Sequence, residues 1–224
     1  MLSRSMRLPA RLAATMTLSV KVLLGATMMA ALAQGQAAIP FESNGLQYKA
    51  LTRGGMTIMV APLNTRIRDW EVFQVAITNG TPVAWAVKAE DFRFERETGS
   101  PIPALAAHEV VETLLKKASR TDTTKLVVAY EAGLFGNMHL HTTNGYETRR
   151  QDAIAFGSTK LSAAGAASAI VLAPTKLAPG QSTDGAIFYP NGGKPLGAGK
   201  LIANAAGEEF VFAAEAEPPQ NSHR

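Results

Sequence analysis

The chain has 224 residues, of which 46% are hydrophobic, 18% are charged and none is cysteine. This composition excludes disulfides, thiolate metal sites, cysteine nucleophiles and a lipid-modified N-terminal cysteine, and it argues against wholesale disorder. Of the 22 basic residues, four lie in residues 1–33, so the remaining 18 equal the 18 acidic residues and give no support for nucleic-acid binding.

Residues 1–33 have the pattern of a signal peptide. A positively charged start contains Arg4, Arg7 and Arg11, and the apolar run Val22–Ala33 follows it. Ala31, Leu32 and Ala33 fit the small-x-small rule for signal peptidase. The alternative is an uncleaved membrane anchor, but Lys21 and several threonines interrupt the apolar stretch. We therefore predict export to the periplasm or the cell exterior.

The first part of the mature chain predicts β-strands after an exposed linker, residues 34–45. The predicted strands are Leu46–Leu51, Met56–Leu63, Trp70–Thr78 and Val83–Glu95. Trp70–Thr78 is apolar on both faces, which indicates a central strand. Asn79–Pro82 predicts a turn, and its Asn-Gly pair favours a tight hairpin. Within Val83–Glu95 the apolar phase shifts by one residue before Phe92, as a β-bulge would produce.

The middle of the chain predicts a helical insertion over about residues 103–170. Pro103–Ser119 has a helical stripe formed by Ala107, Val111, Leu114, Leu115 and Ala118. Glu112 and Lys116 are spaced for an ion pair on the exposed side of that helix. Residues 148–171 are rich in small residues and form either a helix that lets another backbone approach closely or a loose loop. Residues 120–172 stay open between helix, strand and loop.

Strand patterns return after the insertion. We predict a strand at Gly185–Tyr189, a glycine-rich loop at Asn191–Gly199, and a hairpin formed by Lys200–Asn204 and Glu208–Ala213. The polar residues 215–224 predict a disordered tail. The order of strands, helical stretch and strands indicates a mainly β fold in one domain, residues 46–214.

Two segments carry a resemblance. They are FQVAITNGTPVAWAVKAEDFRF, Phe73–Phe94, and KLAPGQSTDGAIFY, Lys176–Tyr189. Together they resemble immunoglobulin-like accessory domains of secreted bacterial proteins, in which such segments form the corners of a β-sandwich. The resemblance implies an immunoglobulin-like β-sandwich, here with a helical insertion between its two strand groups. It also implies a role in binding, adhesion or envelope assembly, which fold alone does not establish.

The strongest chemical pattern is the segment Met138-His139-Leu140-His141. On a strand, His139 and His141 share a face and could ligate one copper or zinc ion, and a thioether such as that of Met138 favours Cu(I). His108 could contribute from the predicted helix, where Glu112 lies one turn further on. The alternative is that these histidines are solvated loop and helix residues. No other cofactor is expected.

Other motifs for catalysis are incomplete. The loop Asn191–Lys200 has the wrong spacing for a phosphate-binding loop, and no G-x-S-x-G elbow exists. We therefore predict a non-enzymatic extracytoplasmic domain that binds a protein or a cell-envelope component, with membrane contact only through an uncleaved leader. The alternatives are a periplasmic metal-binding protein and a hydrolase with a cleft between the helical middle and the sandwich.

Overall fold

The computed structural model describes residues 37–43, 45–63, 67–125, 128 and 159–214, with only the backbone described for 159–162. The chain divides into two units, Met1–Ala37 and Ala38–Arg224, and every element below belongs to the second. The fold is mainly β, as predicted, and its strands form antiparallel sheets.

The central sheet has the strand order β1-β2-β3-β4-β9. Its strands are β1 (Ile39–Ser43), β2 (Leu46–Arg53), β3 (Met56–Pro62), β4 (Trp70–Asn79) and β9 (Ser182–Pro190). β1 lies within the predicted linker, so that prediction is wrong for these residues. Phe41 of β1 stacks on Tyr48 of β2 at 5.2 Å, which joins the strand to the sheet.

The outer sheet has the strand order β11-β10-β6-β7. Its strands are β6 (Phe92–Arg96), β7 (Ile102–Pro103), β10 (Gly199–Ala205) and β11 (Glu208–Ala214). The predicted hairpin is confirmed, because β10 and β11 pair around Ala206 and Gly207. Both turn residues have positive φ, 54° and 77°, which matches the right-handed twist of the flanking strands.

The two sheets pack face to face as a β-sandwich. Alternate residues of β4, among them Phe73, Val75 and Ile77, form one buried cluster with Phe94 and Phe212 of the outer sheet. Lys49 and Arg53 of β2 also join the sheets at one side. Lys49 Nζ donates to the carbonyl of Ala213 at 2.6 Å, and Arg53 Nη1 donates to that of Glu209 at 2.8 Å.

Helices cover the other face of the central sheet. They are α1 (Ala107–Lys117) and α2 (Thr159–Ile170), and residues 120–125 are also helical. Val110, Leu114, Ala167 and Ile170 form a second buried cluster with residues of β2, β4 and β9. The central sheet is therefore buried on both faces, which confirms the prediction of a central strand at Trp70–Thr78.

The helical predictions need two corrections. Pro103 belongs to β7, and α1 begins only at Ala107. Leu114 of the predicted stripe is buried, and Ala107, Val111 and Ala118 pack against the same cluster. Val110, which the stripe omitted, is also buried, whereas Leu115 is 37% exposed. The Glu112–Lys116 ion pair is confirmed at 3.6 Å on the exposed side. None of the helices in the described residues is long and apolar enough to cross a membrane.

A two-stranded ribbon joins the sheets. It consists of β5 (Trp85–Val87) and β8 (Thr175–Leu177). The predicted strand Val83–Glu95 is therefore wrong as one element. β5 lies in the ribbon, the 3-10 turn Ala89–Asp91 follows, and β6 lies in the outer sheet. The turn, not a β-bulge, produces the shift of apolar phase.

Candidate functional site

The predicted metal ligands fall in different parts of the chain. Met138, His139 and His141 lie outside the described residues. His108 is exposed at the start of α1, and Glu112 is engaged with Lys116. Within the described ranges, no three His, Cys, Asp or Glu side chains are grouped to hold a metal ion. The copper or zinc site therefore stays a prediction.

The hydrolase hypothesis requires a cleft where the helical region meets the sandwich. The described contacts of α1 and α2 with the central sheet are between buried apolar side chains. Such contacts serve packing. This hypothesis also stays a prediction.

Asn79 forms the corner between β4 and the ribbon. Its side chain is fully buried, and Nδ2 donates to the carbonyls of Val83 at 2.8 Å and Leu177 at 3.0 Å. Its Oδ1 accepts from the amide and the hydroxyl of Thr81. The predicted turn is thus confirmed, but it is not a hairpin, since β4 pairs with β3 and β9 while β5 pairs with β8. Asn79 is also the first residue of a glycosylation sequon, but its Nδ2 already donates the two hydrogen bonds described above.

An open depression of roughly 350 Å³ lies beside the ribbon. It is lined by Ala86, Val87, Lys88, Asp91, Pro174, Thr175 and Lys176. Ala86 lies directly opposite Lys176 in the ribbon register. Lys88 and Lys176 are both exposed, and Val87 is buried. The depression therefore combines an apolar lining with two lysines that come from the segments before and after the helical insertion.

Asp91 fixes the backbone at this depression. Its Oδ2 accepts the amide hydrogen of Lys88 at 2.9 Å, which begins the 3-10 turn. Burial is the main cause that raises the pKa of Asp91, and the Lys88 hydrogen bond and charge oppose it. Asp91 thus acts as a cap that orients the chain at Lys88. Two exposed lysines beside an apolar lining suit a partner that brings carboxylate or phosphate groups.

A buried polar cluster lies on the helix-covered face of the central sheet. The Tyr48 hydroxyl donates to Gln74 Oε1 at 3.0 Å, and both side chains are buried. Asp184 is also buried, and its charge adds to burial in raising the pKa of Tyr48 to about 12. The low solvent exposure makes this cluster part of the interior.

Sequence reasoning missed the ribbon depression. Lys88 and Lys176 lie in the two segments that carry the immunoglobulin-like resemblance, but no local pattern shows that β5 pairs with β8. No family model matches the chain, and no curated protein matches it. The crystal structure of the yjhA protein from Bacillus subtilis aligns with a TM-score of 0.31 and 10% identity, over 76% of this chain and 81% of that chain. A similarity at this level carries no argument about function.

Proposed function

We propose that this chain is an exported, non-enzymatic binding domain whose ribbon depression receives a protein or another component of the cell envelope. The observation that supports the proposal is the apolar depression with Lys88 and Lys176 beside it. The signal-peptide pattern of residues 1–33 supports export. The neutral balance of the remaining chain means that any attraction for an anionic partner is local rather than global.

The depression is suited to binding a surface rather than enclosing a small molecule. It is open, and its apolar part comes from Ala86, Val87 and Pro174. The area removed from water would supply affinity, and the two lysines would orient an acidic partner. Because both lysines are exposed, salt should weaken the interaction.

The test uses two labelled probes, a hexaglutamate peptide and vesicles that contain phosphatidylglycerol. We expect binding of one probe by the purified protein, weakened roughly threefold to thirtyfold in Lys88→Gln/Lys176→Gln, because each exposed ion pair contributes modestly. Lys117→Gln/Lys125→Gln is the matched control, since it removes the same charge from exposed positions elsewhere.

The two probes separate the two kinds of partner. Binding of the peptide alone would favour a protein partner, and binding of the vesicles alone would favour an envelope lipid. Equal loss of binding in both double variants would show non-specific charge attraction and would contradict the proposal, as would the absence of binding to either probe.

A further inference from the structure

One end of the β-sandwich carries polar groups from both sheets. Loop 191–198 connects β9, which ends at Pro190, to β10, which begins at Gly199, so these strand ends belong to the same end of the sandwich. Tyr189 lies opposite Glu71 in the central sheet, and Arg96 lies opposite Gly199 in the outer sheet. Tyr189 also contacts the ring of Phe94, two residues before Arg96, at a centroid distance of 6.1 Å.

Loop 191–198 closes this end and is held there by specific contacts. Leu196 is buried in the sandwich core, and its amide donates to Glu71 Oε2 at 2.9 Å. The amide of Asn191 donates to the carbonyl of Asp69 at 2.9 Å. Asn191 Oδ1 in turn accepts the amide hydrogen of Gly193 at 2.9 Å, which fixes the orientation of the side-chain amide.

Three buried groups at this end lack a hydrogen-bond partner. They are the Tyr189 hydroxyl, Asn191 Nδ2 and Arg96 Nε. Tyr189 is 0% exposed and Asn191 is 6% exposed. A buried polar group without a partner is rare in native proteins and calls for a water, an ion or a ligand. A fourth such atom, Thr183 Oγ1, lies opposite Ile77 towards the other end of β9 and is a separate case.

The chemistry of the three groups indicates what they would bind. The amide nitrogen and the guanidinium nitrogen are donors only, and the tyrosine hydroxyl can also donate. One group carries a positive charge, so the complement is an acceptor with a negative charge and more than one oxygen. Glu71 already accepts from the loop backbone, and the described residues contain no ion pair between Glu71 and Arg96.

We propose that the end of the sandwich under loop 191–198 is a binding site for a small carboxylate, held by Arg96, Tyr189 and Asn191. The carboxylate would accept hydrogen bonds from Arg96 Nε, the Tyr189 hydroxyl and Asn191 Nδ2. Residues 192–195 of the loop are exposed, so the loop lies between the site and solvent. This site is separate from the ribbon depression, and each proposal can fail without the other.

The test measures acetate binding by calorimetry and by thermal unfolding, with chloride at equal ionic strength as the reference. The protein is purified after expression of the full chain. We expect a saturable rise in Tm with acetate. The affinity for acetate should fall by up to roughly tenfold in Tyr189→Phe and in Asn191→Ala. Tyr48→Phe is the matched control, because the Tyr48 hydroxyl has Gln74 as its partner, and it should retain acetate affinity.

Tyr189→Phe removes only an oxygen atom and keeps the core volume, so it keeps the test informative if Arg96→Gln fails to fold. The proposal would be overturned if acetate up to about 100 mM caused no saturable rise in Tm, because the affinity would then be weaker than a specific site requires. Equal affinities in the wild type and the Tyr189→Phe variant would also overturn it. A crystal structure grown with acetate that shows only water on the three donors would do the same.

Discussion

The two faces of the central sheet bury tyrosines in opposite circumstances. On the helix-covered face, Tyr48 donates to Gln74 beside the buried Asp184. On the sandwich face, Tyr189 is packed against the rings of Phe73 and Phe94, and its hydroxyl has no partner. Alternation along the strands sends neighbouring residues into these two interiors. The central sheet therefore separates two interiors. The one under the helices contains a hydrogen-bonded tyrosine, and the one between the sheets contains a tyrosine hydroxyl without a hydrogen-bond partner.

The difference matters because a buried hydrogen bond stabilises a fold chiefly by avoiding an unpaired group. Removing the Tyr48 hydroxyl takes a hydrogen-bond donor away from the buried Gln74 Oε1. Removing the Tyr189 hydroxyl takes no hydrogen bond away from any other described group. The same substitution should therefore have opposite effects on the two faces.

The largest loss of stability is expected from removing an aromatic ring on either face of the central sheet. Phe94→Ala removes a ring between the sheets, and Phe188→Ala removes one that contacts Trp70 at 5.6 Å on the helix side. Each should lower the free energy of unfolding by about 3–5 kcal/mol. Urea denaturation followed by circular dichroism and by tryptophan fluorescence measures both. Separate transitions for the two probes in Phe188→Ala would show that the faces unfold independently.

Gly185→Ala tests how tightly the segment after α2 lies on β9. A Cβ at Gly185 would lie 2.5 Å from Leu172 Cα, so the backbones must separate. We expect a loss of about 1–3 kcal/mol in the free energy of unfolding, by the same denaturation measurement. Gly180→Ala is the control: it meets no atom within 4 Å but has a φ of 77°, so it should lose only about 1 kcal/mol. A loss of stability for Gly185→Ala that is smaller than the loss for Gly180→Ala would contradict the close contact between Gly185 and Leu172.

Tyr48→Phe and Tyr189→Phe form the direct comparison. Tyr48→Phe should lower the free energy of unfolding by about 1–3 kcal/mol, since Gln74 Oε1 loses its donor. Tyr189→Phe should raise it by about 1 kcal/mol in the ligand-free protein, since a buried hydroxyl without a partner is removed. Urea denaturation in carboxylate-free buffer measures both. Similar losses in the two variants would mean that Tyr189 does have a partner in solution.

Tyr48 also makes the stability depend on pH. Burial, and then the charge of Asp184, raise the pKa of Tyr48 from 10.0 to about 12. The unfolded chain therefore loses this proton first, and Tyr48 contributes stability that is present below pH 10 and is lost between pH 10 and pH 12. The expected slope is about 1.4 kcal/mol per pH unit. Tyr48→Phe should flatten the stability curve by that amount in this range, and an unchanged curve would contradict the raised pKa.

Sequence patterns predicted much of the fold because local alternation carries it. Trp70–Thr78 is apolar on both faces, and only a sheet covered on both sides requires that. The hairpin at Ala206 and Gly207 followed from two strand patterns joined by a short turn. The helix at residues 159–170 was left open against a loop, since its small residues pack well but give no strong amphipathic signal.

The pairing between distant strands was not predictable in this way. The change from the ribbon to the outer sheet occurs within a few residues at Ala89–Asp91, and its phase shift has the same pattern as a bulge. Lys88 and Lys176 line the same depression because β5 pairs with β8, which follows the helical insertion. The groups at Tyr189, Asn191 and Arg96 come from two sheets and a loop, and each alone has the pattern of an ordinary strand or loop residue.

Lys49 and Arg53 have a consequence beyond joining the two sheets. The carbonyls of Ala213 and Glu209 point outward from β11, the last strand of its sheet, where a strand from another molecule could otherwise pair. The two cations occupy these acceptors at 2.6 and 2.8 Å. On the neighbouring edge strand β1, Pro40 lies opposite Lys49 in the register and has no amide hydrogen to offer. The edge strands β1 and β11 are thus poor partners for a strand from a second copy of the chain.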